Sequence, residues 1–216
     1  MDRYKKMPIL LLGLSFLFSA CLNLEQPGKK IEFYTLEYDP PKIAGLKSLP
    51  LVIRMERFSV APTYNTSQII YRDGSFKRNA YVYYRWRANP GHLVTQFLNR
   101  DIKQSGLFKA VLSHESTFPS SYMLEGSVDE FFEWDMEEEW HGILSVSVTL
   151  VEENEPDISK RILFQKTYRT RKACNQKNPR ALAEAMSRAM AQVSEKIMKD
   201  IYYCLKDRNR EDLGDG

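Results

Sequence analysis

Apolar residues recur along this chain with two periods, and the period assigns most of its elements. In the segment 141–151, Leu144, Val146, Val148 and Leu150 alternate with Ser145, Ser147 and Thr149. Period two with one polar side predicts a strand that packs one face and wets the other. The same alternation predicts strands over 31–36, over 51–56 (Leu51, Ile53 and Met55 on one side), over 107–112 and over 121–134. Gln68–Arg72 and 78–84 flank Asp73-Gly74, which predicts a hairpin with a connection longer than two residues. Ile162, Phe164 and Tyr168 continue the pattern after the turn Asn154-Glu155-Pro156-Asp157. Three successive strands joined by short connections predict an antiparallel meander.

Helical spacing appears twice. Asn89-Pro90 gives a cap residue followed by proline at the first helical position. Leu93, Val94, Phe97, Leu98 and Ile102 then form a stripe that Gly106 ends. Asn178-Pro179 repeats the device, and Leu182, Ala185, Met186, Ala189, Met190, Val193, Ile197 and Ile201 line one face. That second helix is predicted over about 179–199, and the polar run from Lys206 onward as a loose tail. The expected fold is α+β, a largely antiparallel sheet with two helices packed on one face.

The beginning of the chain follows neither period. Arg3, Lys5 and Lys6 precede an uncharged run of 14 residues from Met7 to Ala20, and Cys21 follows Ser19-Ala20. A basic head and short apolar run form an export signal, too short for a spanning helix of about 20 residues. Leu17-Phe18-Ser19-Ala20-Cys21 resembles a lipobox, with Phe18 where leucine is usual. The alternatives are an ordinary secretory signal and an uncleaved anchor. In the lipoprotein reading, residues 1–20 are the signal peptide and 21–30 a lipidated tether. Residues 31–205 are then a single domain and 206–216 the tail. Cys21 carries diacylglycerol and an N-acyl chain, and several acyl chains make attachment stable. Leu22 follows Cys21 in place of the aspartate that marks inner-membrane retention in enterobacteria. This favours the inner leaflet of the outer membrane, facing the periplasm, with inner-membrane anchoring as the alternative.

Charge and composition exclude more than they identify. Removing residues 1–20 lowers the net charge from +3 to about +1, so no nucleic-acid footprint remains. His92, His114 and His141 show no metal-ligand spacing, and neither a glycine-rich phosphate loop nor a nucleophile elbow is present. No catalytic residue is assigned. Asp129, Glu130, Glu133 and Asp135 are read as solvated surface. Cys174 and Cys204 form an even pair in an oxidising compartment, which invites a disulfide. The helix between them, roughly 30 Å long, argues against a bond that needs Cα atoms within about 7 Å. Phe131, Phe132 and Trp134 cannot all share one face of a regular strand. Either a β-bulge lets both phenylalanines pack, or one side is a lipid- or protein-contact surface.

The order of these pieces behind the signal resembles the ABC-type transport auxiliary lipoprotein family. The resemblance runs through Tyr34-Thr35-Leu36, Val52 to Pro62, Ile69-Ile70-Tyr71-Arg72, Tyr84-Arg85-Trp86, Ser105-Gly106-Leu107-Phe108, Tyr122 to Gly126, Val128 to Phe131 and the alanine-rich last helix. Tyr83-Tyr84 and Phe131-Phe132 are more aromatic than the family pattern. The resemblance implies a non-enzymatic lipoprotein without cofactor, working with an MCE-domain protein and its permease–ATPase complex on phospholipid or other hydrophobic cargo. It also implies docking of that assembly at the outer membrane. Tyr71, Arg72, Tyr84, Arg85 and Trp86 are the expected partner-binding residues, because tyrosine, tryptophan and arginine concentrate interface energy. A homo-oligomer matching the ring of an MCE protein is a further expectation. The alternative is a structural lipoprotein of another outer-membrane complex with no role in lipid transfer.

Overall fold

The structure, a computed structural model, describes residues 28–74 and 76–214. Residues 28–30 are exposed coil, and Cys21 lies outside the described residues. From Ile31 onward the chain forms β1 (Glu32–Tyr34), β2 (Leu49–Met55), β3 (Ser59–Val60), β4 (Gln68–Arg72), β5 (Asn79–Trp86), α1 (Pro90–Ser105), β6 (Phe108–Ser113), β7 (Tyr122–Asp135), β8 (Trp140–Glu152), β9 (Ile162–Ala173) and α2 (Pro179–Gly214). The nine strands make one sheet that curves into a half-barrel, with both helices against one face.

The expected meander is the backbone of this sheet. β7 pairs with β8 from Tyr122↔Glu152 to Asp135↔Trp140, and β8 pairs with β9 from His141↔Ala173 to Val151↔Ile162, both antiparallel. The β4–β5 hairpin is antiparallel as well. The periodicity gave no sign of the short parallel pairings: β1 beside β5, β2 beside β6 and β7, and β3 and β4 beside β7. Side-chain alternation is the same for both strand directions, so only chain connectivity separates them.

β7 carries the decisive irregularity. Val128 pairs with Val146 and Glu130 with Ser145, which leaves Asp129 as the extra residue of a β-bulge. Asp129 is held on the outer face by the hydroxyls of Ser127 (2.6 Å) and Ser147 (2.5 Å). Beyond the bulge the alternation restarts. Phe131 sits opposite Leu144 on the helix side, and Phe132 sits opposite Ile143 on the outer side. Tyr64 stacks on Phe132 at 5.7 Å and covers it. Both phenylalanines are therefore core residues, and the expectation that they form a contact surface is corrected.

The helices start as their sequences demand. The Asn89 side chain accepts from Gly91 N, Gly106 closes α1 at φ +65°, and Asn178 Oδ1 accepts from Ala181 N. Ala185 and Ala189 are fully buried, and a Cβ at Gly142 would come within 2.8 Å of Met186 Sδ. Small residues on both sides thus set how closely α2 lies on β8. The expected loose tail from Lys206 is instead helix, to Gly214. Arg208 reaches Glu152 (3.3 Å) and Glu155 (3.2 Å) and ties the extra turns to the end of β8 and the turn after it. Cys174 and Cys204 are free thiols, one before α2 and the other inside it. Burial pushes the Cys174 thiol up to about 11 and raises that of Cys204.

Two buried residues show how the core departs from the reading of the sequence. Trp86, expected at an interface, is 2% exposed and meets Phe131 edge to face at 5.1 Å. It fills the core because β5 turns Tyr84 and Trp86 toward the helix side. Glu133, expected in water, is 0% exposed, since the bulge puts it on the helix side opposite Gly142. Its Oε1 accepts from Tyr81 Oη (2.9 Å), while its Oε2 has no hydrogen-bond partner. Burial, aided by the Asp135 charge and opposed by the Tyr81 bond, raises its pKa from 4.5 to about 7.

Trp86→Ala is expected to destabilise the protein by about 3–5 kcal/mol, the usual range for emptying a buried aromatic site. Urea denaturation followed by circular dichroism measures this, and an unchanged midpoint would remove Trp86 from the core. Glu133 holds its proton more tightly in the fold than in the unfolded chain. Its contribution is therefore greatest below pH 4.5 and is lost as pH rises through about 7. The full swing is about 3 kcal/mol, from 1.36 kcal/mol per pKa unit. Glu133→Gln should raise the melting temperature at pH 8 by several degrees and flatten its fall between pH 5 and 8. Parallel pH profiles for the two proteins would contradict this.

Candidate interaction surface

One end of the sheet gathers the aromatic and arginine residues that the strands leave half-exposed. The parallel pairing of Tyr71 with Glu133 and of Arg72 with Trp134 brings the end of β4 to the end of β7. The pairing also divides the expected partner-binding residues between two faces. Tyr71 joins Glu133 on the helix side, and Arg72 joins Trp134 on the outer side.

On the helix side the rings form a connected chain. Tyr71 stacks on Tyr81 at 4.5 Å, Tyr81 meets Tyr84 edge to face at 5.6 Å, and Tyr84 meets Tyr34 at 6.3 Å. Trp140 lies 6.5 Å from Tyr81. An irregularity in β5 makes this possible: Ile70 pairs with Ala80 while Gln68 pairs with Arg85, and Gln68 Nε2 donates to Tyr81 O across the gap. Tyr81 and Tyr84 thereby reach one face although an odd number of steps separates them. The buried Glu133 carboxyl is the floor beneath Tyr81. Burial first, then the charge of Glu133 and the hydrogen bond to it, raise the Tyr81 phenol well above its ordinary value. Burial and the Glu32 contact push Tyr34 up to about 12. Both hydroxyls stay protonated donors at neutral pH.

On the outer side Trp134 lies between two guanidinium groups. Arg72 sits 4.4 Å from its ring centre and Arg171 5.8 Å. Arg72 also donates from Nε to Gly74 O (2.7 Å), which fixes it against the hairpin turn. Arg85 lies on this face too, opposite Gln68 and Phe33, away from the tyrosine chain.

Of the five residues the sequence singled out, four are thus half-exposed: Tyr71 and Arg72 at this end, Tyr84 joined to Tyr71 through Tyr81, and Arg85 opposite the start of β4, while Trp86 is internal. Sequence reasoning missed Tyr34, Trp140 and Arg171. The aromatic density of β5 was the available signal, but the β5 irregularity that selects Tyr81 leaves no trace in the pattern. Such a surface offers ring faces, phenol donors and guanidinium groups, and no nucleophile–base pair. Among the described residues there is no group of three His, Cys, Asp or Glu side chains placed to hold a metal ion. No helix among them is long and apolar enough to cross a membrane.

Comparison with known proteins fits this architecture. The crystal structure of protein XCC0632 from Xanthomonas campestris is similar, with a TM-score of 0.75 at 14% identity, covering 83% of this chain and 99% of that one. A hypothetical protein, CT253 from Chlamydia trachomatis, is similar with a TM-score of 0.52 at 9% identity, over 71% of this chain and 96% of that one. These likenesses concern the fold alone. No curated protein matches the sequence. Residues 34–198 match the family described as ABC-type transport auxiliary lipoprotein component. The chain therefore belongs to the ABC-type transport auxiliary lipoprotein family, as a membrane-anchored, periplasm-facing and non-catalytic component of an ABC-type transport system.

Proposed function

We propose that the protein is held by lipid on Cys21 at the inner leaflet of the outer membrane and docks an MCE-domain protein there. In this reading the docked assembly presents its open end to the membrane, and phospholipid or another hydrophobic cargo passes between them. The permease and ATPase of the partner complex supply the energy. The observation that carries the docking role is the half-exposed rim of Tyr71, Tyr81, Tyr84 and Trp140, with Arg72, Arg171 and Trp134 behind it. Rings and guanidinium groups already held in place lose little freedom on binding, which is what makes such residues interface anchors.

The outer-face cleft of the sheet favours docking over carriage of lipid at that place. A cleft of about 490 Å³ on the outer face is lined by Glu56, Arg57, Ser59, Glu125, Ser147 and Thr149 among others. Charged and hydroxyl groups of this kind do not solvate an acyl chain.

The test is a binding measurement between the purified lipoprotein and an MCE-domain protein of the same organism. Tyr71→Ala combined with Arg72→Ala should weaken binding at least about tenfold, as loss of two anchors does, with the circular dichroism spectrum and melting temperature close to wild type. Glu56→Gln in the outer cleft should leave affinity unchanged. Wild-type affinity in the double variant would sink the assignment of this rim.

A further inference from the structure

A second exposed surface adjoins β1, outside the matched residues except for β5 and the hairpin. β1 is an edge strand and runs parallel to β5, with Glu32 beside Tyr84 and Phe33 beside Arg85. Its N-terminal end therefore points toward the β4–β5 hairpin. This margin carries large apolar side chains in water: Phe33 is 52% exposed and Val82 64%, with Ile31 and Tyr83 also exposed. Phe76, in the hairpin connection, is fully exposed. Apolar groups standing together in this way usually mark a contact.

Basic residues border them. Lys77 follows Phe76, Arg87 lies 5.5 Å from the Phe33 ring, and Lys29 and Lys30 immediately precede Ile31 in sequence. An aromatic and aliphatic edge bordered by lysine and arginine suits the boundary between anionic headgroups and acyl chains. Chain length supplies the second argument. Ile31 is ten chain steps after Cys21, so the fold cannot stand more than about 35 Å from an acylated Cys21. β1 is the first element that such an anchor draws to the bilayer.

We propose that the β1–β5 margin and the β4–β5 hairpin rest on the anionic membrane that holds the protein's own lipid anchor. The assignment builds on lipidation of Cys21. It gives the domain a fixed orientation, with Phe76, Val82 and Ile31 at headgroup depth. The opposite end of the sheet, with Phe118 in the β6–β7 connection and Ile158 in the β8–β9 connection, faces away.

The test uses the full lipidated protein in a Cys204→Ala background, with the buried Cys174 left in place. An environment-sensitive fluorophore is attached at Phe76→Cys, Val82→Cys, Phe118→Cys or Ile158→Cys. Each protein is reconstituted into phosphatidylethanolamine–phosphatidylglycerol vesicles containing a headgroup-proximal doxyl lipid. The first two labels should be quenched several-fold more than the last two, and less so when phosphatidylcholine replaces the anionic lipid. Flotation with the vesicles but equal quenching at all four positions would overturn the orientation and leave the anchor standing. Failure to float would overturn lipidation and this assignment together. Disulfide-linked dimers through an unlabelled Val82→Cys, without quenching of its labelled form, would assign the margin to a second copy and overturn the membrane contact.

Discussion

The bulge at Asp129 is the constraint on which the rest of this fold depends. β7 pairs with β2, β3, β4 and β8, so its alternation sets the facing of most of the sheet. A regular β7 would turn Phe131 and Glu133 outward and bring Phe132 and Trp134 under the helices. With the extra residue, Phe131 meets Trp86 in the core and Phe132 lies beneath Tyr64. Trp134 is left on the outer side between Arg72 and Arg171. Two serine hydroxyls hold the Asp129 carboxylate that would otherwise stand in the way. The same shift encloses Glu133, so the half-exposed tyrosines are built over a carboxyl that the fold keeps largely protonated below neutrality.

Much of the fold was legible because it rests on local rules. Asparagine–proline pairs mark the starts of both helices, Gly106 ends the first, and the alternation in β8 separates its buried valines and leucines from its hydroxyl residues. What was not legible depends on partners distant in sequence. Parallel neighbours of β7 share no turn with it. The end of α2 is fixed by Arg208 meeting Glu152 and Glu155, so a polar run that reads as a loose tail continues as helix. At the interaction surface, composition pointed to the right strands and to Tyr71, Arg72 and Tyr84, but also to the internal Trp86. Trp86 and Tyr84 are two steps apart on one face, and depth beneath the helices alone makes the first internal and the second half-exposed.

The two exposed regions give the domain a division of labour. Tyrosines and arginines on supported strands form a surface with polar handles, suited to a protein partner. The β1–β5 margin is more aliphatic, is bordered by lysine and arginine, and receives the chain from its tether. Tyr71 and Arg72 run directly into the hairpin, so the two regions share one end of the sheet, and a domain held at both would bring a transport assembly to the membrane surface without chemistry of its own.

The most direct measurement is affinity purification of the full lipoprotein from native membranes after mild crosslinking, followed by identification of the proteins recovered with it. The account predicts recovery of an MCE-domain protein with its permease and ATPase, and loss of that recovery in Cys21→Ala. Recovery of outer-membrane barrel or secretion components in place of any MCE-domain protein would contradict it.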